Sequence, residues 1–347
     1  MPLGWAIISP GHYPETTFAP SIRAADDAEL VAVCSRNMGR AQAFAERHGA
    51  SAAYDSVEEL VTDPRVDVVY IASPNNLHSP YTQTAAKAGK HVLCEKPMAL
   101  TPEDAADMIR ACRANGVKLG LGFESVHHPG YQKSRRMVKD GVVGTVSLAQ
   151  AQWAGGTRGM LEPPARSGGL NEWWETPELV GGASAMMGQG VHAVNALRYL
   201  LDSEVVEVAA MTDGQRAEKA LEHLATILLR FDGGAIGMAV CGRKMPDMRA
   251  DAIVYGSDGR IVLENTMGIP LQGKLEVVSE TVNSVEEWET DLLGTTREQV
   301  EAFNRAVRQD TEPYASGIDG LRVVEVTVAV IESATTGRTV KVQRMDV

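Results

Sequence analysis

Short apolar runs alternate with amphipathic stretches along the first 122 residues of the chain. The apolar runs are closed by Gly, Pro, Ser or Asn, so they predict buried strands that end in turns. The predicted strands are 5–8, 29–35, 66–73, 91–94 and 117–122. The predicted helices are 14–25 with a break near Pro20, 37–48, 55–62, 77–88 and 101–115. This alternation, with strands that are apolar throughout, is typical of a doubly wound parallel sheet with helices on both faces.

The pattern changes after about residue 125, where alternating or β-branched runs predominate. They predict strands at 145–153, 204–211, 224–231, 235–241, 250–255, 260–263 and 339–343. Gly233-Gly234 and Ser257-Asp258-Gly259 predict hairpin turns between neighbouring strands. Helices are predicted at 127–140, 190–201, 296–310 and 318–335, and a segment rich in Gly, Pro and Trp spans 155–182. We therefore expect an α/β domain over 1–122 and an α+β domain with an open, mainly antiparallel sheet over 123–347. The helix at 318–335 is expected to pack back on the first domain.

Charge and cysteine content argue against several classes of partner and of site. A formal net charge of −12 argues against nucleic acid and anionic membrane as partners, because both require a basic surface. The four cysteines are scattered, with no spacing suited to zinc, which indicates buried thiols in a reducing compartment and no metal site. No secretory leader and no apolar run long enough to cross a membrane is evident, so we expect a cytoplasmic protein that binds a small-molecule substrate.

A carboxylate and an ammonium stand side by side at the end of one predicted strand, as Glu95-Lys96-Pro97. Pro97 restricts the backbone of the residue before it, which holds Lys96 at the carboxyl end of the strand. Open α/β sheets bind their ligands at that edge. A surface ion pair at an ordinary strand end is the alternative interpretation.

The first turn lies where a GxGxxG dinucleotide fingerprint would lie, after the first strand and before the first helix. Of that pattern only Gly11 is present, with Ser9 and Pro14 at the other two places, and His12 and Tyr13 between them. Backbone N–H groups here are able to approach a pyrophosphate at a helix N-terminus. A strand–turn–helix without a ligand explains the pattern equally well, so both interpretations stay open.

The end of the second predicted strand carries Ser35 and Arg36, with Arg40 one helical turn further on. Sites for NAD usually have an acidic residue there, which accepts hydrogen bonds from the ribose. A hydroxyl and two guanidinium groups favour a 2′-phosphate instead, and hence NADP(H) over NAD(H). A solvated arginine at a helix start is the alternative.

Polar residues also lie at the end of the predicted strand 66–73 and just after it, where Ser73, Asn75 and His78 occur within six positions. A capping and turn role accounts for them. Polar groups along a cofactor cleft account for them as well, and the two interpretations are left open. In the second half, His192 and Asn195 are three residues apart on one helical face, close to Gln189. A buried structural histidine is the usual alternative for such a residue.

Three segments resemble the Gfo/Idh/MocA family, which includes glucose–fructose oxidoreductase and inositol 2-dehydrogenase. They are the Glu95-Lys96-Pro97 segment, the glycine-rich stretch 181–195 and the C-terminal run 315–338. The resemblance covers the whole chain and has its motifs in the family's order. It implies a Rossmann domain that binds a nicotinamide dinucleotide, followed by an open sheet that forms a homodimer or homotetramer.

The resemblance also implies roles for individual residues. Glu95 and Lys96 would lie near the nicotinamide ribose, with Lys96 as acid/base or hydrogen-bond donor at the reacting oxygen. His192 matches the family's active-site histidine, and Asn195 stands at the place of a substrate-binding Asp, with Gln189 in the same segment. Trp173 and Trp174 are similar to a Trp-Arg pair of the anhydrofructose-reductase branch, which assigns Trp173 to the substrate and Trp174 to the cofactor.

One departure concerns the chemistry itself, because Gly188 stands where many members have a catalytic Asp. Glu124, just past the predicted strand 117–122, is our candidate for the missing carboxylate. The expected function is an NADP(H)-dependent dehydrogenase or reductase acting on CH–OH donors of a sugar, polyol or related cyclic compound. The alternatives are a redox-neutral glycosidase or lyase that uses nicotinamide transiently, and a non-catalytic dinucleotide-binding protein.

Overall fold

The computed structural model of the chain describes residues 1–160, 172–215 and 221–347. The chain forms two compact units. The first consists of residues 1–127, 293–321 and 345–347, and the second of residues 128–292 and 322–344. The predicted glycine-rich segment 155–182 lies partly outside the described residues, because 161–171 are not among them.

A six-stranded parallel sheet forms the centre of the first unit. Its strands are β1 (Leu3–Ile8), β2 (Ala28–Cys34), β3 (Ala52–Tyr54), β4 (Val68–Ile71), β5 (His91–Cys94) and β6 (Leu119–Leu121). They lie in the order β3-β2-β1-β4-β5-β6, with parallel pairing throughout. This is the strand order of a Rossmann fold, whose ligand crevice opens where the order reverses, between β1 and β4. The predicted doubly wound sheet is confirmed. The three-residue β3 was missed.

Six helices belong to this unit. They are α1 (Ala19–Ala24), α2 (Met38–His48), α3 (Val57–Leu60), α4 (His78–Lys87), α5 (Pro102–Ala114) and α9 (Gly294–Gln309). A π-helical turn (Pro14–Phe18) precedes α1, so the break expected near Pro20 falls one residue before it. Short 3₁₀ turns occupy Asn75–Leu77 and Glu124–His127. The helix boundaries follow local chemistry: Asn37 and Thr101 accept N-cap hydrogen bonds, and Gly49 ends α2 at φ 78°.

The core of the first unit is aromatic and includes residues from both ends of the chain. The Phe18 ring stacks on Tyr70 at a centroid distance of 3.4 Å, and Trp5 meets Phe303 edge-on at 5.7 Å. The Trp5 indole N–H donates to Asn304 at 3.1 Å. Because Phe303 and Asn304 lie on α9, this C-terminal helix packs on the N-terminal sheet.

The second unit contains a nine-stranded sheet. Its strands are β7 (Val146–Ala154), β8 (Val205–Thr212), β9 (Leu224–Phe231), β10 (Ile236–Gly242), β11 (Ala252–Gly256), β12 (Gly259–Glu264), β13 (Leu271–Ser279), β14 (Asn283–Asp291) and β15 (Val340–Lys341). They lie in the order β14-β13-β12-β11-β7-β10-β9-β8-β15. Every pair is antiparallel except β7 with β10. The expected open, mainly antiparallel sheet is confirmed, while β13 and β14 were not predicted.

The described residues of the second unit form three helices and most of a fourth. They are α6 (Pro129–Lys139), α7 (Pro177–Val180), α8 (Val191–Leu201) and α10 (Gly317–Thr336), whose residues up to Leu321 belong to the first unit. A π-helical turn (Met186–Gly190) leads directly into α8. None of the helices in the described parts of the chain is both long enough and apolar enough to cross a membrane.

Candidate active site

Lys96 lies just past the carboxyl end of β5, as expected from the sequence. The main-chain N–H of Glu95 donates to Ile71 O at 2.9 Å, which continues the pairing of β4 with β5 by one residue. The Lys96–Pro97 peptide bond is cis. The local backbone therefore places Lys96 at the sheet edge where Rossmann folds bind their ligands.

Two hydrogen bonds hold the Glu95 carboxylate, and the backbone at Gly122 lies close to it. Its Oε1 accepts the Tyr70 hydroxyl at 2.6 Å, and its Oε2 accepts the main-chain N–H of Lys96 at 3.2 Å. A Cβ added at Gly122 would come within 2.7 Å of Oε1, so a larger residue there would displace this carboxylate from its position. Tyr70 thus connects the aromatic core to the residue that precedes Lys96.

The Lys96 ammonium acts electrostatically on two buried carboxylates, Glu95 and Glu124, and both carboxylates act on Tyr13. Burial raises the pKa of Glu124 to about 7, while Lys96 acts in the opposite direction and Glu95 adds to the rise. Burial also raises the pKa of Glu95, which Lys96 and the Tyr70 hydrogen bond partly offset. The pKa of Tyr13 is raised well above its ordinary value by burial and by both carboxylates. A carboxyl with a pKa near neutrality beside a lysine is able to exchange protons at working pH.

The position of Glu124 follows from the chain just after β6. The Gly122 N–H donates to Cys94 O at 2.8 Å, and the Phe123 N–H to Leu121 O at 2.8 Å, which turns the chain into the 3₁₀ segment. The Gln299 amide on α9 donates to Leu121 O at 3.1 Å. Glu124 is buried, with 4% of its surface exposed, and this burial is what shifts its titration.

The first turn combines a left-handed residue with open space at Gly11, although it lacks most of the glycines of a dinucleotide fingerprint. Ser9 has φ +66°, a left-handed conformation that normally calls for glycine, and its N–H donates to Cys34 O at 2.9 Å. The Gly11 N–H donates back to Ser9 O at 2.8 Å, and a Cβ added at Gly11 would meet nothing within 4 Å. His12 is exposed and Tyr13 is half-buried. Open space at Gly11 is what a close approach by a pyrophosphate requires.

The proposed 2′-phosphate residues lie at the end of β2. Ser35 is buried, and its hydroxyl accepts the Asn37 N–H at 3.4 Å. The side chains of Arg36 and Arg40 are exposed, and the Arg40 main chain is bound by the Asn37 cap at 2.9 Å. Two guanidinium groups thus remain in solvent beside the strand end.

The polar residues after β4 differ in what they contact. His78 is buried, with its Nδ1 2.8 Å from Pro97 O and its Nε2 2.9 Å from Ser73 O. Burial lowers the pKa of this ring. The two contacts of the ring connect the turn after β4 to the Lys96–Pro97 segment. Asn75 is 2% exposed, and its Nδ2 makes no hydrogen bond within the described structure. A buried amide donor left without an acceptor at this edge fits a polar ligand there, and the open turn at Gly11 fits a dinucleotide.

The second unit places three of the predicted substrate residues on one helical run. Gln189 is in the π-helical turn, and His192 and Asn195 follow in α8. His192 and Asn195 are each 4% exposed. The His192 ring lies against the indole of Trp153, at the end of β7, with 4.0 Å between centroids and 45° between planes.

The remaining predicted residues lie beside this helical run in sequence. Trp173 and Trp174 stack on each other at 4.5 Å in a 3₁₀ turn, and both are half-buried. Gly188 is helical, and an added Cβ there would meet nothing within 4 Å. A carboxylate side chain would therefore fit at position 188, so the absence of one is not imposed by packing.

Two family models match the chain. The first, an oxidoreductase family with an NAD-binding Rossmann fold, matches residues 3–123. The second, the Gfo/Idh/MocA C-terminal domain, matches residues 131–262. The chain belongs to the Gfo/Idh/MocA family of oxidoreductases. The resemblance drawn from the sequence motifs is confirmed.

Individual relatives match over nearly the full length. A 1,5-anhydro-D-fructose reductase from Ensifer adhaerens is 28% identical over 340 residues, with 98% of each chain covered. An NADP(+) D-xylose 1-dehydrogenase from Haloferax volcanii is 29% identical, covering 93% of this chain and 94% of its own. The crystal structure of an aldose-aldose oxidoreductase from Caulobacter crescentus, complexed with glycerol, has a TM-score of 0.85 at 27% identity, covering 98% and 100%.

Sequence reasoning missed three residues that contact predicted site residues within each unit. Tyr70 was read only as part of an apolar strand, and Gly122 only as a strand end. Trp153 was read as the last residue of a strand, with no sign that it meets His192. The contacts of all three join residues at least 25 positions apart, or close two backbones on each other, so no local pattern indicates them.

Proposed function

We propose that this chain is an NADP(H)-dependent oxidoreductase that transfers a hydride between nicotinamide and a CH–OH or C=O group of a sugar, a polyol or a related cyclic compound. The observation that carries this is Lys96 at the carboxyl edge of the Rossmann sheet beside Glu124, whose pKa is about 7. The names of the relatives, a reductase and dehydrogenases of sugars, support the substrate class.

The proposed chemistry assigns proton transfer to the chain. Nicotinamide, when bound, accepts or supplies the hydride. In the oxidation direction, the Lys96 ammonium passes one proton to the Glu124 carboxylate, and its amine takes the substrate hydroxyl proton in exchange. Reduction reverses both transfers. A carboxyl that titrates near neutrality is populated in both protonation states at working pH, so it is able both to take and to return a proton.

The remaining site residues are proposed to bind the ligands. His192 is proposed to hydrogen-bond the reacting oxygen, while Asn195, Gln189 and Trp173 bind other substrate groups. Gln189 Oε1 is buried and makes no hydrogen bond within the described structure, which leaves an acceptor for a substrate hydroxyl. Trp174 is proposed to contact the cofactor.

The test is a panel of aldoses, cyclic polyols and 1,5-anhydrosugars, assayed with NADP+ and NADPH by the absorbance of the reduced nicotinamide. Net cofactor turnover with at least one compound is expected. Product release without a net absorbance change would favour the redox-neutral glycosidase or lyase. Tight cofactor binding with no product from any compound would favour a non-catalytic binding protein.

Replacing Arg36 by Ala is expected to raise the Kd for NADP(H) about tenfold or more, because a charge-assisted bond to the 2′-phosphate is lost. The Kd for NAD(H), which lacks that phosphate, should change less than about twofold. Both constants are measured by calorimetric titration.

The matched control for Arg36 is Arg113→Ala, which removes an exposed arginine in the last turn of α5. It should leave both dissociation constants unchanged. Equal weakening of NADP(H) and NAD(H) by Arg36→Ala, or equal affinity of the unaltered protein for the two, would rule out the proposed cofactor preference.

We also propose that a second copy of the chain covers one face of the nine-stranded sheet, forming a homodimer or homotetramer. On β9 the exposed side chains alternate with buried ones, and Leu228 is 50% exposed. The strand registers place one row of residues across that face, half- or fully exposed and mostly apolar: Ala209, Leu228, Met238, Gln150, Ile253, Val262, Glu276 and Val285. An apolar row of this length is typical of a subunit interface.

Light scattering after size-exclusion chromatography tests this face. The unaltered protein is expected to elute as a dimer or tetramer, and Leu228→Asp as a smaller species, because a charge is buried in the interface. Leu292→Asp alters another exposed leucine, in the turn after β14, and should leave the mass unchanged. A monomeric unaltered protein would contradict the proposal.

A cytoplasmic location is proposed as well. It is supported by the four cysteines, all of which are buried and free of disulfides.

A further inference from the structure

One buried carboxylate binds the start of the helical run that carries Gln189, His192 and Asn195. Glu222 has none of its surface exposed. Its Oε2 accepts the Ser184 N–H at 2.8 Å, and its Oε1 accepts the Met186 N–H at 2.7 Å. Its main-chain O accepts the N–H of Ala185, between them, at 3.3 Å. A single residue thus satisfies three consecutive N–H groups at the beginning of the helical run.

Such N–H groups have no partner within the helix itself, and a negative charge is favoured at that end of the helix dipole. Bonds from backbone N–H groups to a carboxylate are shorter and stronger than bonds between neutral groups. Burial raises the pKa of Glu222, and these N–H donors act against that rise. The contact is therefore a rigid and specific attachment.

Glu222 lies just before β9, and the end of β8 and the segment that follows it hold its side chain in place. The Gln215 amide donates to its Oε2 at 3.0 Å, and the Thr212 hydroxyl donates to the Gln215 Oε1 at 2.5 Å. A Cβ added at Gly214 would lie 2.6 Å from the main-chain N of Glu222, so the two segments are in direct contact. The Glu222 carboxylate therefore links the segment that follows β8 to the start of the helical run.

A second contact limits the rotation of the same run. A Cβ added at Gly190 would lie 2.4 Å from Met186 Sδ and 3.0 Å from Cys241 Sγ, so the backbone at Gly190 packs directly against β10. His192 follows two residues later, with its ring on Trp153. With the start of the run bound by Glu222 and its next turn packed on β10, the place of His192 is determined.

We propose that Glu222 is a positioning residue for the reaction: its carboxylate sets where His192 and Asn195 lie by binding the first N–H groups of their helical run. Gly188 gives this attachment added importance, since the run has no carboxylate of its own at that position. The inference rests on the proposed function, in which His192 binds the reacting oxygen.

Glu222→Gln tests the proposal, because it keeps the size of the side chain and replaces one acceptor oxygen with an amide that opposes a backbone N–H. We expect kcat to fall at least about tenfold, since small displacements of a catalytic group are costly. The KM for NADP(H) should stay within about twofold, because all proposed cofactor residues except Trp174 lie on the first unit, and Trp174 lies outside the helical run. Amide hydrogen exchange over 184–190 should become faster.

The matched control is Asp67→Asn, which alters a carboxylate that accepts the Gly4 N–H at 2.8 Å, at the amino-terminal edge of the first sheet. It should lower thermal stability with no change in kcat. A Glu222→Gln enzyme with unaltered kcat and substrate KM would overturn the inference, even if exchange over 184–190 increased.

A readout independent of activity separates this inference from the proposed function. In protein with labelled histidine rings, Glu222→Gln should shift the His192 signal, with His192→Gln identifying that signal. Of the other seven histidines, only His223, which follows Glu222 directly in the chain, is expected to shift as well. An unshifted His192 signal overturns the positioning role whatever the activity. Absence of turnover in the unaltered protein, together with a shifted signal, would instead contradict the proposed function alone.

Discussion

Lys96→Met is expected to lower kcat/KM by about a thousandfold in both directions of the reaction, within the range of general acid–base contributions. Methionine resembles lysine in length and flexibility, so the change removes the ammonium without opening a cavity. The Kd for NADP(H) should change far less than kcat/KM, because most proposed cofactor contacts lie on other residues. Steady-state kinetics on the best substrate of the panel measures the loss.

Lys96→Arg distinguishes proton exchange from simple charge. Arginine retains the positive charge but does not release its proton in proteins, so this variant should be nearly as inactive as Lys96→Met. Activity close to normal in the arginine variant would mean that Lys96 contributes only charge. Normal activity in Lys96→Met would exclude any catalytic role for the residue.

Glu124→Gln is expected to lower kcat/KM for alcohol oxidation about a hundredfold and to remove one limb of its pH profile. Burial raises the pKa of Glu124 to about 7, so the unaltered enzyme should gain oxidation activity as pH rises through that value and the carboxyl ionises. Glutamine matches the shape of the neutral carboxyl but accepts no proton. A pH profile that keeps its limb near 7 in the variant would assign that limb to another group.

Glu124→Gln is expected to raise the stability of the protein at alkaline pH, although it lowers the activity. The pKa of Glu124 is about 7 in the folded protein and 4.5 ordinarily, so the folded state favours the protonated carboxyl. The stability this contributes is complete below the unfolded pKa and is lost as pH rises through about 7. The difference between these two pKa values, 7 − 4.5 = 2.5, sets an upper bound of about 3 kcal/mol on this contribution to the free energy of unfolding.

Glu124→Gln should therefore unfold at a higher temperature than the unaltered protein at about pH 9, and at nearly the same temperature below about pH 4.5. Calorimetry across this range measures the difference. A variant that is less stable at alkaline pH would show that the ionised carboxylate is favoured by the fold, contrary to the proposed proton acceptor.

Most of the fold could be predicted because its signals are local. Buried parallel strands are apolar throughout, and helix ends carry their own caps, as Asn37, Gly49 and Thr101 do. The strands β13 and β14 escaped because polar and charged residues interrupt their apolar ones, and β14 is largely exposed. Their pairing depends on neighbouring strands, which no local pattern indicates.

The candidate site divides in the same way. Lys96 could be located because a strand, a proline and a parallel sheet together define the carboxyl edge. Ser9 could not be recognised as a substitute for glycine, because only the folded turn shows its φ of +66°. His78 was expected at the cofactor, and the structure places both of its ring nitrogens on backbone carbonyls.

The sequence by itself determined the order of strands and helices, the family, and the identities of Lys96, Glu124 and His192 as candidate residues. Only the tertiary structure decided how those residues are tuned and held. The pKa of Glu124 is about 7 because this residue is buried. Glu95 accepts a hydrogen bond from Tyr70, 25 residues away, and Glu222 binds a helix start 36 to 38 residues away. Burial and long-range hydrogen bonds arise only when distant segments meet, so they leave no pattern in a linear chain.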